Sequence, residues 1–170
     1  MNKITNKLFK KYRSLGAYVR ADQKEFEQDI HSSGFYRNKA KNILAAAKMV
    51  KNKYGGKVPD AMEEILKLPG VARKTANVVL GNAYGVYEGI AVDTHVRRFA
   101  VQFDLSDFND PVRIEKDLVQ IIPKKDWFRC TYLAIEYGRR LAPASGKRKG
   151  DDPLLKIYPQ ALKRWPIGAS

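Results

Sequence analysis

Apolar residues recur along this chain every three to four positions, the spacing of an α-helix, over nearly its whole length. Between residues 38 and 54, Ala40, Ile43, Leu44, Ala47 and Val50 fall on one stripe, while Lys39, Lys41, Lys48 and Lys51 lie off it. Asp22 is placed to cap a short helix over residues 23–30, because its carboxylate can accept an amide of the first turn. Pro111 suits the first position of a helix through Ile122, with Ile114, Leu118, Ile121 and Ile122 as its apolar face and Pro123 as its stop. Trp127, Cys130, Thr131, Ala134, Tyr137 and Leu141 mark another helix, ending at Pro143. No segment alternates apolar and polar residues between hairpin turns, so no large sheet is expected. The predicted class is all-α.

Glycine and proline interrupt this pattern at Tyr54-Gly55-Gly56, at Leu68-Pro69-Gly70 and across residues 143–153. The last stretch contains Ser145-Gly146-Lys147-Arg148-Lys149-Gly150, which reads as a basic loop or tail. At Pro69-Gly70 a short helix over residues 61–67 runs into a tight turn. A second helix begins near Ala72, and Ala76, Val79, Leu80 and Ala83 form its expected buried face. Two helices joined so tightly aim the unbonded N–H groups of the second outward, toward a phosphate oxygen. Such a contact positions DNA without reading its sequence. A plain helical corner fits the same turn.

Charge narrows the partner. The 170 residues carry 32 Lys and Arg against 18 Asp and Glu, a net +14 with a pI near 9.9. That surplus favours an anionic polymer, since each neutralised phosphate releases counterions. An acidic membrane surface meets the same condition, but no apolar run is long enough to span a bilayer. The basic N-terminus lacks the apolar core of a secretory signal. Cys130 is the sole cysteine, which excludes an internal disulfide and any cysteine-only metal site. A reducing, intracellular setting is expected, and no metal site is assigned.

Two residues stand out chemically. Lys74 falls in the first turn of the helix after Gly70, where the helix dipole, and any partial desolvation, favour the neutral amine. A neutral amine can attack a sugar carbon and form a Schiff base; a lone lysine is more often a solvated surface group. Asp93 follows the apolar run Ile90-Ala91-Val92 and precedes Thr94-His95-Val96-Arg97. It fits a helix N-cap, and equally a carboxylate that accepts a proton or stabilises positive charge on a sugar. The two roles are compatible.

Residues 68–80, together with Ile90-Ala91-Val92-Asp93-Thr94-His95, closely resemble the helix–hairpin–helix and catalytic segments of endonuclease III, in the helix–hairpin–helix DNA glycosylase superfamily. The similarity extends from about Asn2 to Leu141, through Gly34-Phe35-Tyr36-Arg37-Asn38-Lys39-Ala40 and Ile135-Glu136-Tyr137-Gly138-Arg139-Arg140. It implies two helical lobes with a DNA-binding cleft between them, which we place at residues 1–86 and 87–170. It further implies excision of oxidised pyrimidines from duplex DNA, then cleavage at the abasic site by β-elimination. Lys74 matches the nucleophilic lysine and Asp93 the essential aspartate.

For DNA contact the resemblance points to Gly70, Val71, Ala72, Arg73 and Thr75 in the hairpin, and to His95 and Arg97 after Asp93. Phe35 matches an apolar wedge inserted when a nucleotide is flipped out; a core aromatic is the alternative. Arg37, Lys39 and Lys41 are candidates to track phosphates, with a solvated helix face as the default, and His95 is equally a structural histidine.

The chain departs from the family at three places. Ala72 stands where glycine is usual, which is costly only if that position needs positive φ. Residues 141–158 contain none of the cysteines that ligate a 4Fe–4S cluster in most relatives, so no cluster is expected, and Lys147, Arg148 and Lys149 are candidates for the DNA contacts of that region. Met1 aligns inside the family domain, so two N-terminal helices are expected to be missing. The resemblance leaves room for a monovalent cation at the hairpin backbone. A monomer is expected, cytoplasmic and nucleoid-associated, with an organelle as the alternative address. The competing expectations are a non-catalytic DNA-binding protein and an inactive truncated relative.

Overall fold

The computed structural model describes residues 2–143 and 151–164; the basic segment Lys147, Arg148 and Lys149 lies outside them. Among the described residues all regular structure is helical and no strand occurs, as the periodicity predicts. No helix there is long and apolar enough to cross a membrane. The chain divides into two compact units, residues 1–76 and 77–170. The division falls inside a helix and before residue 86, where the sequence suggested the boundary.

The first unit contains α1 (Asn2–Lys11), α2 (Leu15–Arg20), α3 (Gln23–Asp29), α4 (Tyr36–Lys53), α5 (Met62–Ile65) and the start of α6 (Arg73–Val79). Ser14 caps α2 and Asp22 caps α3, the latter accepting the Glu25 amide at 2.9 Å. Leu8, Tyr12, Phe26, Ile30, Ala40 and Leu44 form its core, where the Phe26 ring meets Tyr12 edge-on at 5.1 Å. On α4, Ala40, Leu44, Ala47 and Val50 are buried as predicted, but Ile43 is 38% exposed. It sits at the margin of a stripe that a helix needs only about 100° wide.

The second unit continues from α6 into a π-helical turn, Leu80–Tyr84. It then adds α7 (Thr94–Gln102), α8 (Pro111–Ile121), α9 (Trp127–Arg140), α10 (Pro153–Ile157) and α11 (Ala161–Arg164). Asp110 accepts the Val112 and Arg113 amides, and Pro111 takes the first helical position as its sequence suggested. Ile90, Val92, Val96, Ala100, Ile114, Leu118 and Ala134 form this core. Two expectations about faces are corrected. The wider π turn rotates Ala83 into solvent and buries Gly81 beside Leu80 instead, while Val79 is half-buried. On α8, Ile121 is 56% exposed, and Glu115 is buried beside Ile114 and Leu118.

Candidate nucleic-acid interface and active site

In the first unit α5 ends in tight turns, with Lys67 and Leu68 donating to the carbonyls of Glu64 and Ile65. It is shorter than residues 61–67, and Ala61 serves as its N-cap. The hairpin closes through Val71 N–H to Leu68 O at 3.1 Å. Gly70 turns the chain with φ +75°, and a Cβ there would lie 2.8 Å from Cβ of Asn42 on α4. Only glycine satisfies both conditions. Ala72 has no positive φ, so alanine there carries no backbone strain. Its carbonyl accepts the Ala76 amide at 3.0 Å. The amides of Arg73, Lys74 and Thr75 therefore precede the first bond of α6, at the positive end of its dipole.

Lys74 and Thr75 are exposed, whereas Val71 and Arg73 are half-buried. Among the described residues the Lys74 side chain forms no ion pair or hydrogen bond.

Phe35 is 87% exposed and holds a left-handed backbone, φ 47° and ψ 32°, at the N-cap of α4. A bulky residue seldom adopts φ > 0 unless its surroundings impose it. A core aromatic is excluded, and the alternative of a projecting apolar residue stands. Lys39 braces the loop from below, donating from Nζ to the Ser33 carbonyl at 2.7 Å. One of its three N–H donors is thus taken by the backbone. Arg37 remains exposed, its guanidinium 5.5 Å from the Tyr36 ring centroid. Lys41 also faces solvent.

In the second unit Ile90, Ala91 and Val92 are buried and deliver Asp93 to the N-cap of α7. Its Oδ1 accepts the His95 and Val96 amides at 2.8 and 2.9 Å. Asp93 is half-buried, and among the described residues its Oδ2 has no protein donor. His95 is half-buried, its Nδ1 3.1 Å from Nη2 of Arg98. Arg97 is half-buried as well.

A buried polar group underlies this segment and escaped the sequence. Asn77 of α6 donates to Glu115 Oε1 at 3.1 Å, and a Cβ at Gly89 would lie only 1.8 Å from the same oxygen. Glu115 follows Ile114 directly and so reads as the polar edge of an amphipathic helix. The weak signal for it was its three-residue spacing from Leu118. Gly138, which the sequence offers only as one residue of the run Ile135-Glu136-Tyr137-Gly138, also lies in close contact, against His95.

The model of HhH-GPD superfamily base excision DNA repair proteins matches residues 1–124. Endonuclease III of Synechocystis sp. is 45% identical over 161 residues, 95% of this chain and 74% of the relative. Endonuclease III of Bacillus subtilis is 43% identical over 165 residues, 96% of this chain and 75% of the relative. A solved structure of a trapped endonuclease III–DNA covalent intermediate, an estranged-adenine complex, superposes with a TM-score of 0.88. It is 43% identical, over 96% of this chain and 76% of that one.

Proposed function

This chain belongs to the HhH-GPD superfamily of base excision DNA repair proteins, and we propose that it excises oxidised pyrimidines from duplex DNA and cleaves the resulting abasic site through Lys74. It is a DNA glycosylase and abasic-site lyase of the endonuclease III type. The observation that carries the role of Lys74 is its exposure in the first turn of α6, behind a hairpin that Gly70 and Asn42 lock.

The hairpin amides hold a backbone phosphate of the DNA. The Lys74 amine attacks C1′ of the damaged nucleotide, and the bond from C1′ to the base breaks. The base leaves with the bonding electrons and gains a proton. Asp93 stabilises the positive charge on the sugar and accepts the proton lost by the amine. The C1′–O4′ bond of the sugar ring then breaks, O4′ taking the proton held by Asp93, and the protonated imine so formed between C1′ and the Lys74 nitrogen makes the C2′ hydrogen acidic. Its removal expels the 3′ phosphate by β-elimination, and water releases Lys74. Phe35 fills part of the space left by the displaced nucleotide. The single thiol of Cys130 cannot ligate a 4Fe–4S cluster, and no step is routed through one. We place the protein in the cytoplasm, on chromosomal DNA.

The test is covalent trapping. The purified chain, mixed with a duplex bearing one abasic site and treated with borohydride, should give a stable protein–DNA adduct that Lys74→Gln abolishes. Cleavage of the abasic site with no adduct, or an undiminished adduct in Lys74→Gln, sinks the assignment. Tight DNA binding that is indifferent to Lys74, without any cleavage, would leave a DNA-binding protein.

A further inference from the structure

We propose that Gly138 is a positioning residue for Asp93, acting through His95. The inference rests on the role given to Asp93 above, and every group in it lies in the second unit. The carboxylate is aimed by two bonds, from the His95 and Val96 amides to Oδ1. Its direction therefore follows the backbone of His95. That residue is clamped by its own side chain, since α9 passes so close that a Cβ on Gly138 would lie 2.3 Å from His95 Nδ1. The same Cβ would lie 3.1 Å from Cγ and 3.3 Å from Cβ of His95.

On its other side Nδ1 meets Nη2 of Arg98 at 3.1 Å. A guanidinium offers only donors, so Nδ1 accepts and the ring hydrogen sits on Nε2. The ring is held between α9 and Arg98, with Arg98 Nη2 also 3.5 Å from the Ala142 carbonyl. A methyl group on residue 138 would overlap Nδ1 and press on Cγ and Cβ, and turning the ring about the Cβ–Cγ bond moves neither of those two carbons. His95 must move, and the donors that orient Asp93 move with it. Helix propensity favours alanine over glycine inside α9. The cause of the glycine is thus the approach of His95.

The experiment compares wild type, Gly138→Ala, His95→Ala and the double variant in the full chain. It measures kcat and KM for cleavage of an abasic-site duplex, and the backbone amide resonances of His95 and Val96 without DNA. Gly138→Ala should lower kcat on the order of ten- to a hundredfold, the usual cost of small misplacements at a reacting centre. KM should stay within about twofold if the substrate is bound mainly elsewhere, and both amide resonances should shift. In the His95→Ala background only the 3.3 Å contact to the residue 95 Cβ remains, so Gly138→Ala should change kcat and the Val96 amide far less.

An equal loss in both backgrounds would overturn the proposal, as would unshifted amides in Gly138→Ala. If Gly138→Ala does not fold, the pair sharing His95→Ala decides, and a double variant that also fails to fold overturns it. Shifted amides with undiminished kcat would uphold the positioning and instead refute the role of Asp93 in the reaction.

Discussion

Replacing Gly70 with alanine tests the hairpin at the point where sequence, backbone and partner meet. Two costs add. An L-residue in the left-handed region loses roughly 1–2 kcal/mol, and Gly70 has φ +75°. The new methyl would also lie 2.8 Å from Asn42 Cβ, an atom at the root of a helical side chain that cannot swing away. Overpacking of that kind costs about 1–3 kcal/mol. The lower entropy of the unfolded alanine chain returns about 0.4–1 kcal/mol. A net loss of about 2–4 kcal/mol follows, roughly 5–15 °C in Tm for a chain of this length.

Gly85 separates the two costs. Its φ is +67°, and a Cβ there would meet nothing within 4 Å. Gly85→Ala should therefore lose only the backbone share, roughly 1–2 kcal/mol before the entropic return. Thermal unfolding of both variants measures the difference, and fluorescence anisotropy with duplex DNA measures the consequence. Gly70→Ala should bind on the order of tenfold more weakly, equally for every sequence, since the contact at stake is to phosphate. Gly85→Ala should bind as wild type. Equal destabilisation by the two alanines would refute the Asn42 contact, and unchanged binding by Gly70→Ala would refute the hairpin as a DNA contact.

Phe35→Gly should raise Tm by roughly 2–4 °C, because it relieves about 1 kcal/mol of left-handed strain at a side chain that is 87% exposed. It should also slow base excision; a less stable variant would refute the strain, and a fully active one would refute the wedge. Asp93→Asn should fold like wild type but lose strand cleavage, since asparagine caps a helix as well as aspartate does. Asp93→Ala should lose cleavage and about 1 kcal/mol of stability besides, and equal stabilities by urea unfolding would remove the cap. Burial, with the hydrogen bond to Asp29, pushes the Tyr12 phenol up to about 12. The stability this confers is complete below the unfolded value near 10 and fades as pH rises toward 12. Thermal scans from pH 9 to 12 should show that decline, and Tyr12→Phe should flatten it.

The helices were legible wherever burial on one face forces the period of the sequence, as on α4, and wherever a cap needs a particular side chain, as at Asp22 and Asp110. Faces were misplaced where the helix departs from 3.6 residues per turn, since a π turn at Leu80–Tyr84 has no composition of its own. The brace at Lys39 was hidden for a related reason. Its partner is the carbonyl of Ser33, and no side-chain pattern announces a backbone acceptor. The close approaches at Gly89 and Gly138 were equally silent, because an absent side chain records contact only once its neighbour is known.

Asp93 shows why a structural and a chemical interpretation of one residue need not compete. A carboxylate in free water would spend energy to become oriented before it could stabilise charge on a sugar. Here the start of α7 supplies the orientation in advance, through two amides that both bind Oδ1. Oδ2 is left without a protein donor among the described residues. In the proposed reaction the cap fixes one oxygen and leaves the other for the substrate, so the bonds that stabilise the helix would also preorganise the carboxylate. The same economy holds at the hairpin. The turn that ends α5 and starts α6 leaves the amides of Arg73, Lys74 and Thr75 ahead of the first helical bond, and Lys74 rises from that turn. In both places the proposed chemistry occupies what a helix terminus leaves unbonded, so the structural roles of Pro69-Gly70 and Asp93 are what make the candidate site legible in the sequence.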